Sequence, residues 1–221
     1  MRWGRAREEW SVVITGTTPG GLPLLLRPLR PEDSEEYVAV RGRNRHWLSP
    51  WDATSPVPVT GSRTFSDVVD FYQEEALAGR MLPFVIEVEG ALVGQVNVSN
   101  IVLGSFRSCT VGYWVAQAVA GRGIVPTALA LAADHAFAEL ALHRVEVNIR
   151  PENAASLAVV RKLGFRDEGL RPRMLHIDGD WRDHRSFALT TEDLGGRTVR
   201  DRLTHSSQRS LGRHTVEGPT A

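Results

Sequence analysis

Gly121, Arg122 and Gly123 stand directly before an apolar, alanine-rich helical pattern, in the stretch AGRGIVPTALALAADHAF at 120–137. The first turn of a helix leaves its backbone N–H groups without partners, and the aligned peptide dipoles put partial positive charge there. Two glycines around one residue let successive amides curl into a concave anion site. Pro126 falls in that first turn, where its missing N–H costs nothing. These types at this spacing suit a phosphate or diphosphate. A tight strand-to-helix turn that binds nothing fits the same residues. Neither the Walker phosphate-loop pattern nor the full G-x-G-x-x-G dinucleotide pattern is present.

Other reactive side chains are sparse. Cys109 is the only cysteine, which excludes an intramolecular disulfide and fits a reducing compartment. It lies in a strand pattern with no histidine beside it, so a small buried residue is the better reading than a covalent acyl carrier. The seven histidines show no metal-ligand spacing, and no metal is expected. His143 is a base candidate by the ordinary pKa of its type, or simply the start of a strand. Asn153, just before the helical pattern AASLAVV, suits a helix cap.

The elements that must position these groups follow from periodicity. The chain has 221 residues, enough for one sizeable core. Its 26 basic and 26 acidic side chains balance, which removes any global electrostatic case for nucleic acid or an anionic membrane. No apolar run reaches the ~18 to 20 residues that span a bilayer. The first 16 residues lack a continuous apolar stretch and carry Glu8 and Glu9, a poor secretion signal, so a cytoplasmic protein is expected.

Residues 1–20 read as an extension or first strand ending in GTTPGG, and LPLLLRPL at 22–29 as a buried strand. A helix follows near Pro31, then the aromatic and proline-rich loop HWLSPWDATSPVPV, then a helix over TFSDVVDFYQEEAL closed by Gly79. LPFVIEVEG, ALVGQVNVSNIV and SCTVGYWVA alternate as strands. The 120–140 helix, strand HRVEVNIR, helix NAASLAVVRKL and two strands about Asp178-Gly179 complete the pattern. From 191 to 221 the chain turns polar, and a disordered tail is expected there. Hairpins beside a few helices predict an α+β fold, a mixed sheet with helices packed on it.

In that order and spacing, VGYWVAQAVAGRGIVPTALALAADHAF, LHRVEVNIRPENAASLAVVRKLGF and DGDWRDHRSFALT resemble the GNAT acetyltransferases. With NRHWLSPWD and NVSNIVLGSF they resemble most the RimJ/RimL-type ribosomal-protein-alanine N-acetyltransferases, from about Leu22 to Leu189. The resemblance implies a mostly antiparallel sheet of about six or seven strands with about four helices, and a splayed strand pair that forms an acetyl-CoA cleft. A GNAT domain over 21–190 would carry it. The amides of Gly121, Arg122, Gly123, Ile124 and Val125 would hold the diphosphate of acetyl-CoA, although Ala118 stands where the wider family often has Gln or Arg. VGYWVA would end in a bulge, and pantetheine would pair with the backbone near Trp114, Val115 and Ala116.

The resemblance further implies an amide contact from Asn153 to the pantetheine arm and places Ser156 toward the thioester; each residue is equally well a cap and a surface serine. Asn148 occupies the place of the strand glutamate that serves related enzymes as base, and Glu146, two residues earlier on the same face, is the remaining carboxylate or merely a charged strand residue. Val160 replaces the family's frequent acid tyrosine. An amide near Val115 would stabilise the oxyanion. Trp47 and Trp51 would wall a slot for an acceptor chain end, with Asp52 facing its ammonium, or else both tryptophans cap the core. The expected reaction is direct acetyl transfer to a protein N-terminal amine, plausibly ribosomal. A small amine as acceptor, or a CoA-binding or ribosome-associated scaffold without turnover, remains open, as does monomer against homodimer.

Overall fold

The computed structural model describes residues 9–57 and 63–203. Eight strands form one sheet: β1 (Ile14–Thr17), β2 (Pro23–Pro28), β3 (Leu82–Val88), β4 (Ala91–Val102), β5 (Ser108–Val115), β6 (Arg144–Ile149), β7 (Arg166–Ile177) and β8 (Asp180–Thr190). Their order is β1-β2-β3-β4-β5-β6-β8-β7, one more strand than the upper expectation. Every neighbouring pair is antiparallel except β5 with β6.

The sheet separates two layers of helices. On one face lies α4 (Ile124–Ala138), with α5 (Ala154–Lys162) beside it. Ala128–Ala133 and Ala136 of α4 are all buried, so this helix is apolar all round and runs through the main core. Val96, Val98, Cys109, Val111, Val145, Val147 and Ile149 face it, each an alternate residue of its strand. On the other face α1 (Ser34–Arg43) and α3 (Phe65–Leu77) cover β3 and β4 through a smaller cluster that contains Leu29, Val69, Val85 and Leu92. Thr64 and Asp67 close a reciprocal cap at the start of α3. Buried Arg27 ties the approach to α1 onto the sheet, 2.7 Å from Asp33 and 2.6 Å from Glu87.

Two expectations change. The loop that opens at His46 begins inside a single helical turn, α2 (Arg45–Leu48), with Leu48 buried; residues 58–59 of that loop lie outside the described residues. The chain beyond 191 is not structureless as far as 203. Residues Thr191–Leu194 form α6, a further helical turn covers 199–203, and Leu194, Val199 and Leu203 are buried in the main core. The Asp134 carboxylate of α4 accepts the Val199 N–H at 2.6 Å. Spaced apolar residues in a polar stretch carried that signal; the remainder of the expected tail, 204–221, lies outside the described residues. Among the described residues no helix is long and apolar enough to cross a membrane.

Candidate active site

β5 and β6 pair only at Ser108–Arg144, Cys109–Val145 and Thr110–Glu146. Beyond that point β5 keeps β4 as far as Gly94–Val115, and β6 keeps β8 as far as Ile149–Arg185. Only the seam between them opens, and it leaves a wedge between Val111–Val115 and Val147–Ile149. The Ala116 N–H donates to the Val93 carbonyl at 2.8 Å. With Gly94 opposite Val115, that bond makes Val115 a non-hydrogen-bonded position of the β4–β5 ladder. The main-chain N–H and C=O of Val115, and by alternation those of Tyr113, therefore face the wedge.

This corrects the expected set. The main chain of Trp114 is turned toward β4, and the Ala116 N–H is already taken. The bulge expected at the end of β5 lies instead on β4, where Val93 is the extra residue opposite Ile86 and Glu87. Only glycine fits next to it: a Cβ on Gly94 would stand 2.4 Å from the Trp114 carbonyl oxygen.

A short 3-10 turn, Gln117–Val119, leads from β5 into the glycine loop. Gly121 has φ 80° and Gly123, the N-cap of α4, has φ 78°. Among the described residues no acceptor is bonded to the N–H of Gly121, Arg122, Gly123, Ile124 or Val125. The first amide of the helix to be satisfied is that of Thr127, which donates to the Gly123 carbonyl at 3.2 Å. The loop is exposed at Gly121 and Arg122, and Thr18 and Pro19 pack behind Gly123. Free amides at the head of a 15-residue helix form a seat for an anion at the wide end of the wedge.

On the helix side, Asn153 caps α5 by accepting the Ser156 N–H at 3.0 Å, so the cap reading of this residue holds and its Nδ2 is left to donate. The Ser156 hydroxyl lies 2.7 Å from the Tyr113 hydroxyl, so that β5 and α5 touch across the wedge. Burial pushes the Tyr113 phenol well up, which keeps it protonated. Tyr113 was not singled out from the sequence; its place two residues before Val115, on the face of Val111, was the available signal. Val160 is fully buried in the core.

A model of the acetyltransferase (GNAT) domain matches residues 23–166. The chain belongs to the GNAT acetyltransferase family. This acetyltransferase is 32% identical over 178 residues to a probable N-acetyltransferase YjcK of Bacillus subtilis, covering 78% of this chain and 97% of that one. It is 32% identical over 173 residues to the [ribosomal protein uS5]-alanine N-acetyltransferase of Escherichia coli, covering 77% and 89%. Among solved structures, Mycobacterium smegmatis RimJ in complex with CoA-disulfide aligns with a TM-score of 0.80 at 39% identity, over 88% of this chain and 94% of that one. Its chemistry is thus acetyl-CoA-dependent N-acetylation.

The acetyltransferase has a polar surface on the other side of the wedge. Asn148 accepts from the Ser186 hydroxyl through Oδ1 at 2.6 Å. An amide cannot take a proton, so Asn148 is no base, and with Oδ1 taken by Ser186 its Nδ2 is the group left to donate. Glu146 is 8% exposed, with one oxygen 2.7 Å from Arg144 and the other 3.5 Å from Arg171. It sits at the last paired position of the seam, and each of its oxygens faces a guanidinium group. His143 lies on the closed side of that seam, bonded to Glu192 at 2.9 Å, which separates it from the wedge. Burial pushes the Cys109 thiol up to about 12, so it is no nucleophile at neutral pH.

The loop at 44–54 roofs the wide end. Buried Asn44, also missed from sequence, accepts the Gln117 N–H at 2.8 Å, and the Trp47 indole donates to the Val115 carbonyl at 3.0 Å. Arg150, just past β6, donates to the Pro50 carbonyl at 2.7 Å and stacks over Trp51. Ala53 bridges to Ile177 of the β7–β8 hairpin. Asp52 is held by Arg41 at 2.6 Å, and Arg41 also lies over the Trp114 ring. Asp52 thus meets an incoming ammonium only in competition with arginine. Among the described residues no cluster of three or more His, Cys, Asp or Glu is placed to hold a metal.

Proposed function

We propose that this acetyltransferase acts on the N-terminal α-amine of a protein, in the manner of the ribosomal-protein alanine acetyltransferase it resembles. The observation that carries the reading is that the two carboxylates expected at the wedge, Glu146 and Asp52, are both bound to arginines. An α-amine has a pKa near 7.7 to 8.0 against about 10.4 for a lysine side chain. Neutralising the lysine at pH 7 costs about 3 kcal/mol more. A site without a strong base therefore favours the chain terminus. A ribosomal acceptor puts the reaction in the cytoplasm, and residues 21–190 are the catalytic unit we assign.

Acetyl-CoA supplies an activated thioester carbonyl. The amides of Gly121, Arg122, Gly123, Ile124 and Val125 hold the diphosphate, while Asn153 and Val115 contact the arm between the splayed strands. A neutral amine reaching the wedge from the Asn148 side forms the new C–N bond. The Tyr113 N–H, which faces the wedge one alternation deeper than that of Val115, stabilises the charge that develops on the carbonyl oxygen. As the C–S bond breaks, the Ser156 hydroxyl, backed by Tyr113, donates a hydrogen bond to the leaving sulfur. The amine's extra proton passes to water.

Thiol release measured on peptides and small amines tests this. A peptide with a free N-terminal alanine turns over, and its rate rises as pH passes through about 8. The same peptide with a blocked N-terminus and an internal lysine stays idle at pH 7. Turnover of polyamines or aminoglycosides with none on free peptide N-termini contradicts the reading.

A further inference from the structure

The face of the sheet that carries Asn148 also carries buried polar groups that the steps above leave unused. Register sets Gln95 opposite Trp114 and Asn97 opposite Gly112, so these four residues share one face. Tyr37 of α1 packs edge-on against Trp114 there. Gln95 is only 3% exposed. Its Oε1 accepts the Tyr37 hydroxyl at 3.3 Å and the Trp114 indole N–H at 3.2 Å. Two donors on one atom settle which way the amide points, and Nε2 is left facing elsewhere. Burial pushes the Tyr37 phenol up to about 12, which keeps it a donor. Among the described residues, neither Gln95 Nε2 nor the buried Oδ1 of Asn97 has a partner. A buried donor and a buried acceptor left open side by side need a reason.

The two atoms are themselves closed off in this structure, with open space beside Asn97 over Gly112. Gly112 is exposed, and a Cβ there would meet no atom within 4 Å. It is also the second residue beyond Thr110, the last position where β5 pairs with β6, so it lies near the narrow end of the wedge. Asn97 is directly across the ladder from it. Two residues apart on one strand face, Gln95 and Asn97 are spaced by roughly 7 Å at Cα. Their long amides span the nitrogen and carbonyl oxygen of a single residue, which lie roughly 3 Å apart.

We propose that Gln95 and Asn97 read the first residue of the acceptor. Asn97 Oδ1 accepts an N–H of the attacking α-amine, which leaves the amine lone pair free for the thioester. Gln95 Nε2 donates to the carbonyl of the same residue. The pair thereby selects an amine with a carbonyl two bonds away, an α-aminoacyl terminus. A polyamine has no group to satisfy Gln95. The inference rests on the N-terminal reading given above and names the side chains that enforce it.

Thiol-release kinetics with an alanine-terminated peptide, and with an analogue whose first carbonyl is reduced to methylene, test the assignment above both amine pKa values. Gln95→Glu keeps an oxygen for Tyr37 and Trp114 but replaces the donor with an acceptor. It raises KM for the peptide at least tenfold, leaves acetyl-CoA affinity intact and leaves the reduced analogue unaffected. Asn97→Ala lowers kcat/KM about tenfold for both. Wild-type enzyme uses the reduced analogue at least tenfold less well than the peptide, a readout that needs no variant and survives misfolding of either one. Equal use of peptide and analogue by wild type overturns the Gln95 contact. Peptide kinetics within twofold of wild type in Asn97→Ala overturn the Asn97 contact. In both cases peptide acetylation itself persists, which separates these failures from failure of the N-terminal reading, where the wild type leaves every peptide untouched and acetylates spermidine.

Discussion

The glycine loop at 121–125 and the corner at 44–54 stand at the same end of the wedge and are built differently. The loop is one contiguous stretch whose working groups are main-chain N–H bonds, and its side chains hardly matter; Ala118 is tolerated beside it. The corner is a lattice of side chains drawn from distant segments: Asn44 to Gln117, Trp47 to Val115, Arg41 to Asp52, Arg150 to Pro50, Thr54 to His176. In the function proposed above, the coenzyme is held by backbone, which depends on the glycines and not on side chains. In the same proposal the acceptor is met by side chains drawn from several elements. Asn44 and Trp47 join the two regions, so the coenzyme seat and the acceptor roof are mechanically linked.

The contrast can be broken at several points. The largest effect is expected from Gly123→Asp. A side chain at φ 78° is strained by about 1–2 kcal/mol, and a carboxylate beside the seat repels the diphosphate. Acetyl-CoA binding should weaken about a hundredfold by calorimetry, with Tm followed to confirm folding. Unchanged affinity would remove the loop from its role. Next is Asn44→Ala, which takes the acceptor from the exposed Gln117 amide at a cost of about 1 kcal/mol. KM should rise roughly tenfold for acetyl-CoA and acceptor together; a change in one alone would uncouple the two regions.

Glu146→Gln tests whether its carboxylate holds arginines or moves protons. Turnover should fall by a few-fold, on the order of 1 kcal/mol, equally at pH 7 and pH 9. A loss confined to neutral pH would restore Glu146 as a base. The smallest effect concerns acid stability. The hydrogen bond from Arg144, the main cause, holds Glu168 at about 2 against an ordinary 4.5. A depressed carboxylate stabilises the fold above 4.5 and loses that contribution as pH falls toward 2. Glu168→Gln should lower Tm by a few degrees at pH 7, and the difference should vanish near pH 2. A gap that persists at pH 2 would point to packing rather than charge.

What was legible in the sequence was local. The period change at Leu82, the turn residues Glu89-Gly90 and Asp178-Gly179, and the glycines before α4 each act through near neighbours in the chain. The wedge itself was legible only through family resemblance, because nothing local says that β5 and β6 part after Thr110. Main-chain direction at Val115 depends on the ladder to β4, so Trp114 and Ala116 could not be separated from it in advance. Tyr113, Asn44, Gln95 and Asn97 escaped notice because their partners lie 19 to 73 residues away or are absent from the fold. Glu146 and Asp52 looked free because Arg171 and Arg41 sit on other elements, and because nothing local says that Arg144 turns onto its own strand neighbour. The tail past 191 looked idle because three apolar residues in a polar stretch gain a role only when α4 and α5 are beneath them.

Calorimetric titration with CoA and with pantetheine, which lacks the diphosphate, tests the central claim most directly. If the amides at 121–125 grip the diphosphate, CoA binds at least a hundredfold more tightly than pantetheine, and Gly123→Asp abolishes most of that difference. Equal affinity for the two ligands in the wild-type enzyme would contradict the account.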